Sequence, residues 1–188
     1  LRNTEVRYGT VAQVLHWTIV LLVIGQFALG LTAHPMPVSL MRLKLLTWHK
    51  SLGVTVFALT LLRLGWRLYS PPPLLPAHMP RLQQRLVQYS HGLLYLLLLT
   101  MPFVGWIASS ASNLTVKWFF LVTLPNLVQP DPALADFAKG LHIAMSWVLL
   151  ALVIGHVAAA LWHEWGTRDN VLRRMLPLPL RPEPKEPP

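Results

Sequence analysis

The chain has 188 residues, of which 54% are hydrophobic and only 12% charged, with a mean hydropathy of +0.47. A water-soluble domain carries about a quarter charged residues, so the apolar surplus must face lipid rather than water. The absence of cysteine excludes thiolate-held iron–sulfur clusters, disulfides and covalent c-type haem, and the net charge of +9 sits beside apolar runs, as topology signals do, not on a nucleic-acid-binding face.

Four apolar runs are long enough to cross about 30 Å of hydrocarbon at about 1.5 Å per residue. The first covers 12–33 and stops at His34-Pro35. It follows Arg2 and Arg7 and contains His16, so it reads as a retained helix and not as a cleaved signal. The second covers 47–69 and ends in Pro71-Pro72-Pro73; the third covers 88–109, with a kink expected at Pro102; the fourth covers 137–162. The 110–136 loop contains Val116-Lys117-Trp118-Phe119-Phe120, an aromatic segment suited to the membrane interface. The predicted fold class is all-α, an integral membrane four-helix bundle. One transmembrane domain is expected over 1–176, followed by a Pro-rich, disordered cytoplasmic tail over 177–188.

Orientation follows from lysine and arginine. With the N-terminus cytoplasmic, that side collects eleven of them, including Arg2, Arg7, Arg63, Arg67 and the Arg168–Lys185 group. The opposite side holds five: Arg42, Lys44, Lys50, Lys117 and Lys139. Both termini are therefore expected inside.

Histidines are as numerous as they are misplaced: eight against seven acidic residues, five of them in or just inside the spans. An ionisable side chain within a membrane helix is costly and marks function by default. His142 and His156 are 14 residues apart on the fourth helix, about 3.9 turns and about 21 Å, so they leave one face near opposite membrane surfaces. With alternating helix direction, His49 lies level with His142, and both His16 and His91 lie level with His156. Two neutral imidazoles on facing helices can clamp a haem iron from both sides. A lone membrane histidine usually serves as a helix-to-helix hydrogen bond, but that does not explain four at two matched depths. Spacing alone leaves the inner partner open between His16 and His91. Arg63, 14 residues beyond His49, suits either a haem propionate or the inner membrane surface, and Lys50, with Arg42 and Lys44, suits propionates or an anionic substrate. His34 and His78, beside prolines, read as solvated loop groups, and His163 as an interfacial residue among Trp162 and Trp165.

These motifs resemble the bacterial cytochrome b561 family, which is similar to the b-type cytochrome subunits of nickel–iron hydrogenases. The matching segments are Gln13-Val14-Leu15-His16-Trp17, Trp48-His49-Lys50-Ser51-Leu52-Gly53, Leu62-Arg63-Leu64, His91-Gly92-Leu93-Leu94-Tyr95 and Met101-Pro102-Phe103-Val104-Gly105-Trp106. Leu141-His142, Gly155-His156-Val157-Ala158 and Arg168-Asp169-Asn170-Val171-Leu172-Arg173-Arg174-Met175 complete the series, in order over nearly all of 8–177. The resemblance implies two non-covalently bound b haems, the pairs His49 with His142 and His16 with His156, and a quinone as electron acceptor in a bacterial inner membrane. Some members of the family oxidise superoxide at the periplasmic face and reduce ubiquinone, which would make the chain an oxidoreductase. Others are electron-relay anchor subunits of a larger dehydrogenase or hydrogenase-like complex, with a protein partner. A transporter is excluded on residue grounds, because all seven acidic residues lie in tails, loops or at helix edges.

Overall fold

The computed structural model describes residues 1–75 and 79–181. His78 and Lys185 therefore lie outside the described residues. Four long helices run up and down: α1 (Thr10–Ala33), α2 (Leu40–Tyr69), α3 (Arg81–Ala111) and α4 (Pro132–Trp162). Each is long and apolar enough to span a bilayer. Capping chemistry rather than hydropathy sets several of their ends. The Ser39 hydroxyl accepts the Arg42 N–H and starts α2 well before its apolar run, and the Asp131 carboxylate accepts the Leu134 N–H with Pro132 at the first helical position of α4.

α1 packs on α2, α2 on α3, and α3 on α4. The tightly buried apolar core is small, centred on Ile19, Val23 and Val56, while Leu21, Ile24 and Ile154 face outward. That distribution is expected where lipid is as apolar as the core and small or polar residues hold helices together. Ser51, Thr60 and Ser110 are fully buried.

The N-terminal residues and the segment that follows α4 share one end of the bundle, where the Tyr8 N–H donates to the Arg174 carbonyl, and the α3–α4 connection caps the other. This connection contains a two-stranded antiparallel hairpin, β1 (Val116–Trp118) with β2 (Val122–Leu124), an addition to the all-helical bundle that the sequence pattern did not predict. Its turn places Phe119 and Phe120 at positive φ (46° and 62°), an uncommon conformation for such residues. The turn is tied to α2, where the Ser51 hydroxyl accepts the Phe119 N–H at 2.8 Å and Thr55 accepts the Trp118 indole N–H at 3.1 Å.

At the terminal end, α4 continues as a π-helical turn, His163–Thr167, followed by a short 3-10 helix, Arg173–Met175. His163 is tied to the segment that follows it: its Nδ1 lies 2.5 Å from Asp169 Oδ2, with both side chains largely buried. The described chain beyond Pro177 is held as far as Arg181. The Arg181 N–H donates to Asn170 at 2.8 Å, and its guanidinium pairs with buried Glu164, which Arg173 also contacts at 2.9 Å. A buried carboxylate needs such partners, and that need recruits the chain beyond the helix.

Candidate functional site: two histidine clusters along the bundle

The five membrane histidines gather into two clusters, with α4 supplying one member to each. Toward the hairpin end, the rings of His49 (α2) and His142 (α4) face each other with centroids 6.1 Å apart and planes at 76°. Toward the terminal end, His156 (α4) faces His16 (α1) at 6.3 Å and His91 (α3) at 5.2 Å. His34 lies exposed just beyond α1, away from both clusters.

Hydrogen bonding orients the hairpin-end rings. Nδ1 of His49 lies 3.2 Å from the Gln26 carbonyl, and Nδ1 of His142 lies 3.2 Å from the Met101 carbonyl. A carbonyl only accepts, so each Nδ1 carries the proton and each Nε2 keeps a lone pair, the tautomer that binds a metal. The Gln26 side chain also donates to the His49 carbonyl at 2.9 Å, stapling α1 to α2 at this level.

Two glycines make these contacts possible. A β-carbon on Gly30 would stand 3.3 Å from Cε1 of His49, and one on Gly105 would stand 3.1 Å from Cε1 of His142. Each glycine lies one helical turn after the carbonyl that its histidine uses, Gln26 before Gly30 and Met101 before Gly105. The side chain that would shield the carbonyl is therefore missing. At Gly155, beside His156, a β-carbon would meet nothing within 4 Å. No sequence signal joined these glycines to the histidines, which lie far from them along the chain.

Of the candidate basic residues, Arg63 reaches the terminal-end cluster. Its Nη1 lies 2.5 Å from His16 Nδ1 and its Nε donates to the Tyr95 hydroxyl at 3.2 Å. Lys50 is half-buried beside His49 and makes no ion pair among the described residues, and Arg42 keeps a buried Nε without a hydrogen-bond partner. A small cavity beneath the terminal-end cluster is lined by Tyr8, Arg63, Trp66, Arg67 and Tyr95. Burial pushes the Tyr8 phenol up, opposed by the nearby charges of Arg67 and Arg63, so it stays a neutral donor.

These residues fit a haem. Two imidazole nitrogens at about 2.0–2.1 Å from a metal, each about 1.2 Å from its ring centre, place the centroids about 6.4 Å apart. The 6.1 and 6.3 Å pairs meet that requirement. The orphaned Arg42 Nε and the half-buried Lys50 are cations that would suit haem propionates. Among the described residues, no group of three or more histidine, cysteine or acidic side chains is placed to hold a bare metal ion.

A membrane bundle with inward-facing imidazole pairs and no thiolate defines a b-type membrane cytochrome. The family model described as prokaryotic cytochrome b561 matches residues 7–178. The chain belongs to that family: it is a multi-pass bacterial membrane protein that binds b-type haem and transfers electrons. It is 33% identical to cytochrome b561 homolog 2 of Escherichia coli K12, over 93% of each chain. It is 30% identical to the probable superoxide oxidase CybB of Yersinia pestis over 69% of this chain and 73% of that one, and 28% identical to cytochrome b561 homolog 1 of Escherichia coli K12 over 91% and 97%.

Proposed function

We propose that the chain holds two b haems, one between His49 and His142 and one between His16 and His156, and carries electrons across the inner membrane from superoxide to a quinone. The observation that carries this reading is two pairs of facing imidazoles, at 6.1 and 6.3 Å, one pair at each end of the bundle. Haem iron in such a setting supplies one-electron chemistry. The residues do the rest: the histidines hold and orient, Lys50 and Arg42 neutralise charge at the hairpin end, and Arg63 does so at the terminal end.

The balanced conversion takes two superoxide ions, one quinone and two protons to two dioxygen molecules and one quinol. The likeness to a probable superoxide oxidase supports the donor. Arg42, Lys44, Lys50, Lys117 and Lys139 place positive charge at the hairpin end, which would attract a small anion. Among the described residues the opposite end carries ten basic residues, from Arg2 to Arg181, against five at the hairpin end, so it is assigned to the cytoplasm. Residues 1–176 form the cytochrome domain, with 177–188 as its Pro-rich extension.

Purified single chain should yield two haems by pyridine haemochrome, all extracted by acid–acetone, and should reduce quinone when superoxide is supplied. His49→Ala and His142→Ala should each lower the count from two to one by losing the same haem. A wild-type count of one would end the two-haem reading. Activity appearing only with a co-purified dehydrogenase would replace the superoxide reading with that of a relay subunit.

A further inference from the structure

The two facing pairs are built on helices with different neighbours. His49 and His142 stand on α2 and α4, and both of those helices pack on α3, which fixes their spacing. His16 and His156 stand on α1 and α4, and α1 packs mainly on α2 while α4 packs mainly on α3. Among the described residues no common helix therefore sets the 6.3 Å between the terminal-end rings.

The chain beyond α4 supplies a direct link. Its anchor on the α4 side is Glu164, whose Oε1 accepts from Arg173 at 2.9 Å and from Arg181 at 2.5 Å, while its carbonyl accepts from Arg181 at 2.6 Å. Asn170, at a φ of 66°, turns the chain back, and its side chain bonds the Arg181 N–H at 2.8 Å and the Arg181 carbonyl at 3.1 Å. The loop so closed presents three successive carbonyls to the start of α1. Arg174 accepts from the Gln13 side chain at 3.3 Å, Met175 from the Trp17 indole at 2.9 Å, and Leu176 from the Arg7 guanidinium at 2.5 Å. Gln13 lies about one turn before His16, and the Trp17 ring lies 5.0 Å from the His16 ring. Arg174 also donates to the Leu74 carbonyl at 2.6 Å, in the connection between α2 and α3.

We infer that residues 168–181 are a strap that closes the seam between α1 and α4 and so retains the terminal-end haem, with Glu164 as its catch. The inference rests on the two-haem reading above. The strap holds positioning residues, which act on His16 through Gln13 and Trp17. Release of a haem held between two histidines requires their helices to part. A tie from α4 to α1 opposes that movement at the terminal end alone, because the hairpin-end rings are held by the Gln26 and Met101 carbonyls instead.

The test follows haem leaving purified full-length protein for an excess of apomyoglobin, read from the Soret band. Wild type should hold two haems and His49→Ala only the terminal-end one, which assigns the two phases of release. Any other count in either protein overturns the two-haem reading and the inference with it. Glu164→Ala/Trp17→Phe, which cuts the strap at both ends, should speed the terminal-end phase by about tenfold or more and leave the hairpin-end phase unchanged. An unchanged terminal-end rate, or equal acceleration of both phases, would overturn the strap. Should the double variant fail to fold, Trp17→Phe decides, since it keeps an aromatic ring and deletes only the bond to the Met175 carbonyl. It should speed the terminal-end phase by about fivefold, and a rate equal to that of wild type would refute the proposal.

Discussion

A β-carbon on Gly105 would stand 3.1 Å from His142 Cε1 and 3.2 Å from its Nδ1, in the contact that sets the ring's tautomer. Such supporting bonds typically carry about 10–100-fold in metal affinity. Gly105→Val and Gly30→Val should therefore weaken haem binding at the hairpin end by about that factor, read as a one-haem protein in a titration with added haem. Gly155→Ala should leave both haems bound, because its β-carbon meets nothing within 4 Å. Equal loss from all three variants would mean that helix packing in general, and not the carbonyl–glycine device, governs occupancy.

Among the elements, the hairpin depends on one buried hydroxyl. Ser51 Oγ accepts the Phe119 N–H at 2.8 Å and reaches the carbonyls of Lys117 and Thr47 at 2.9 and 2.8 Å. Ser51→Ala would leave the Phe119 N–H without this partner, at about 1–3 kcal/mol. With Phe119 and Phe120 already at positive φ, the turn should loosen. The expected result is a lower thermal midpoint and faster proteolysis at 119–121, while the haem count stays unchanged. The hairpin also meets Trp48 edge-to-face, with the Phe119 ring 5.5 Å away, so its loss should uncover further the residue preceding His49.

In the whole molecule, the C-terminal segment closes the terminal end over α1. Trp17, next to His16, donates to the Met175 carbonyl at 2.9 Å, and Tyr8 donates its N–H to the Arg174 carbonyl at 3.3 Å. Glu164 anchors this segment through Arg173 and Arg181. Removing one partner of a buried charge cluster costs about 3 kcal/mol or more, so Glu164→Ala should release the segment and lower the thermal midpoint. Faster cleavage beyond Arg168 would report the release, and an unchanged digestion pattern would show that the clasp is held by other contacts. Charge acts at this scale too. If superoxide is steered by basic residues at the hairpin end, its rate of haem reduction should fall as ionic strength rises toward physiological values, where screening acts within about 8 Å. A neutral donor should show no such slope.

The four spans were legible because an apolar run of twenty or more residues is stable only where lipid or a large core surrounds it, and a chain of this length cannot bury four of them in a core of its own. The depth match of His49 with His142 follows from helical rise and alternating direction. The ends of α2 and α3 were not legible, since local capping at Ser39 and the break at Pro80 carry those helices beyond their apolar runs. Hydropathy likewise gave no sign of the hairpin, whose strands are three residues each and whose turn is held by Ser51 from another element. His16 and His91 stand at one depth in any four-helix arrangement. Only the side-chain geometry separates them, through the distance of each ring from that of His156. The same holds for Gly30 and Gly105, for His163 with Asp169, and for Arg181 with Glu164: each relation joins residues whose proximity is created by packing or by a chain reversal. A periodic pattern records which face of a helix is apolar, but a bond between two elements depends on the rotation and height of both.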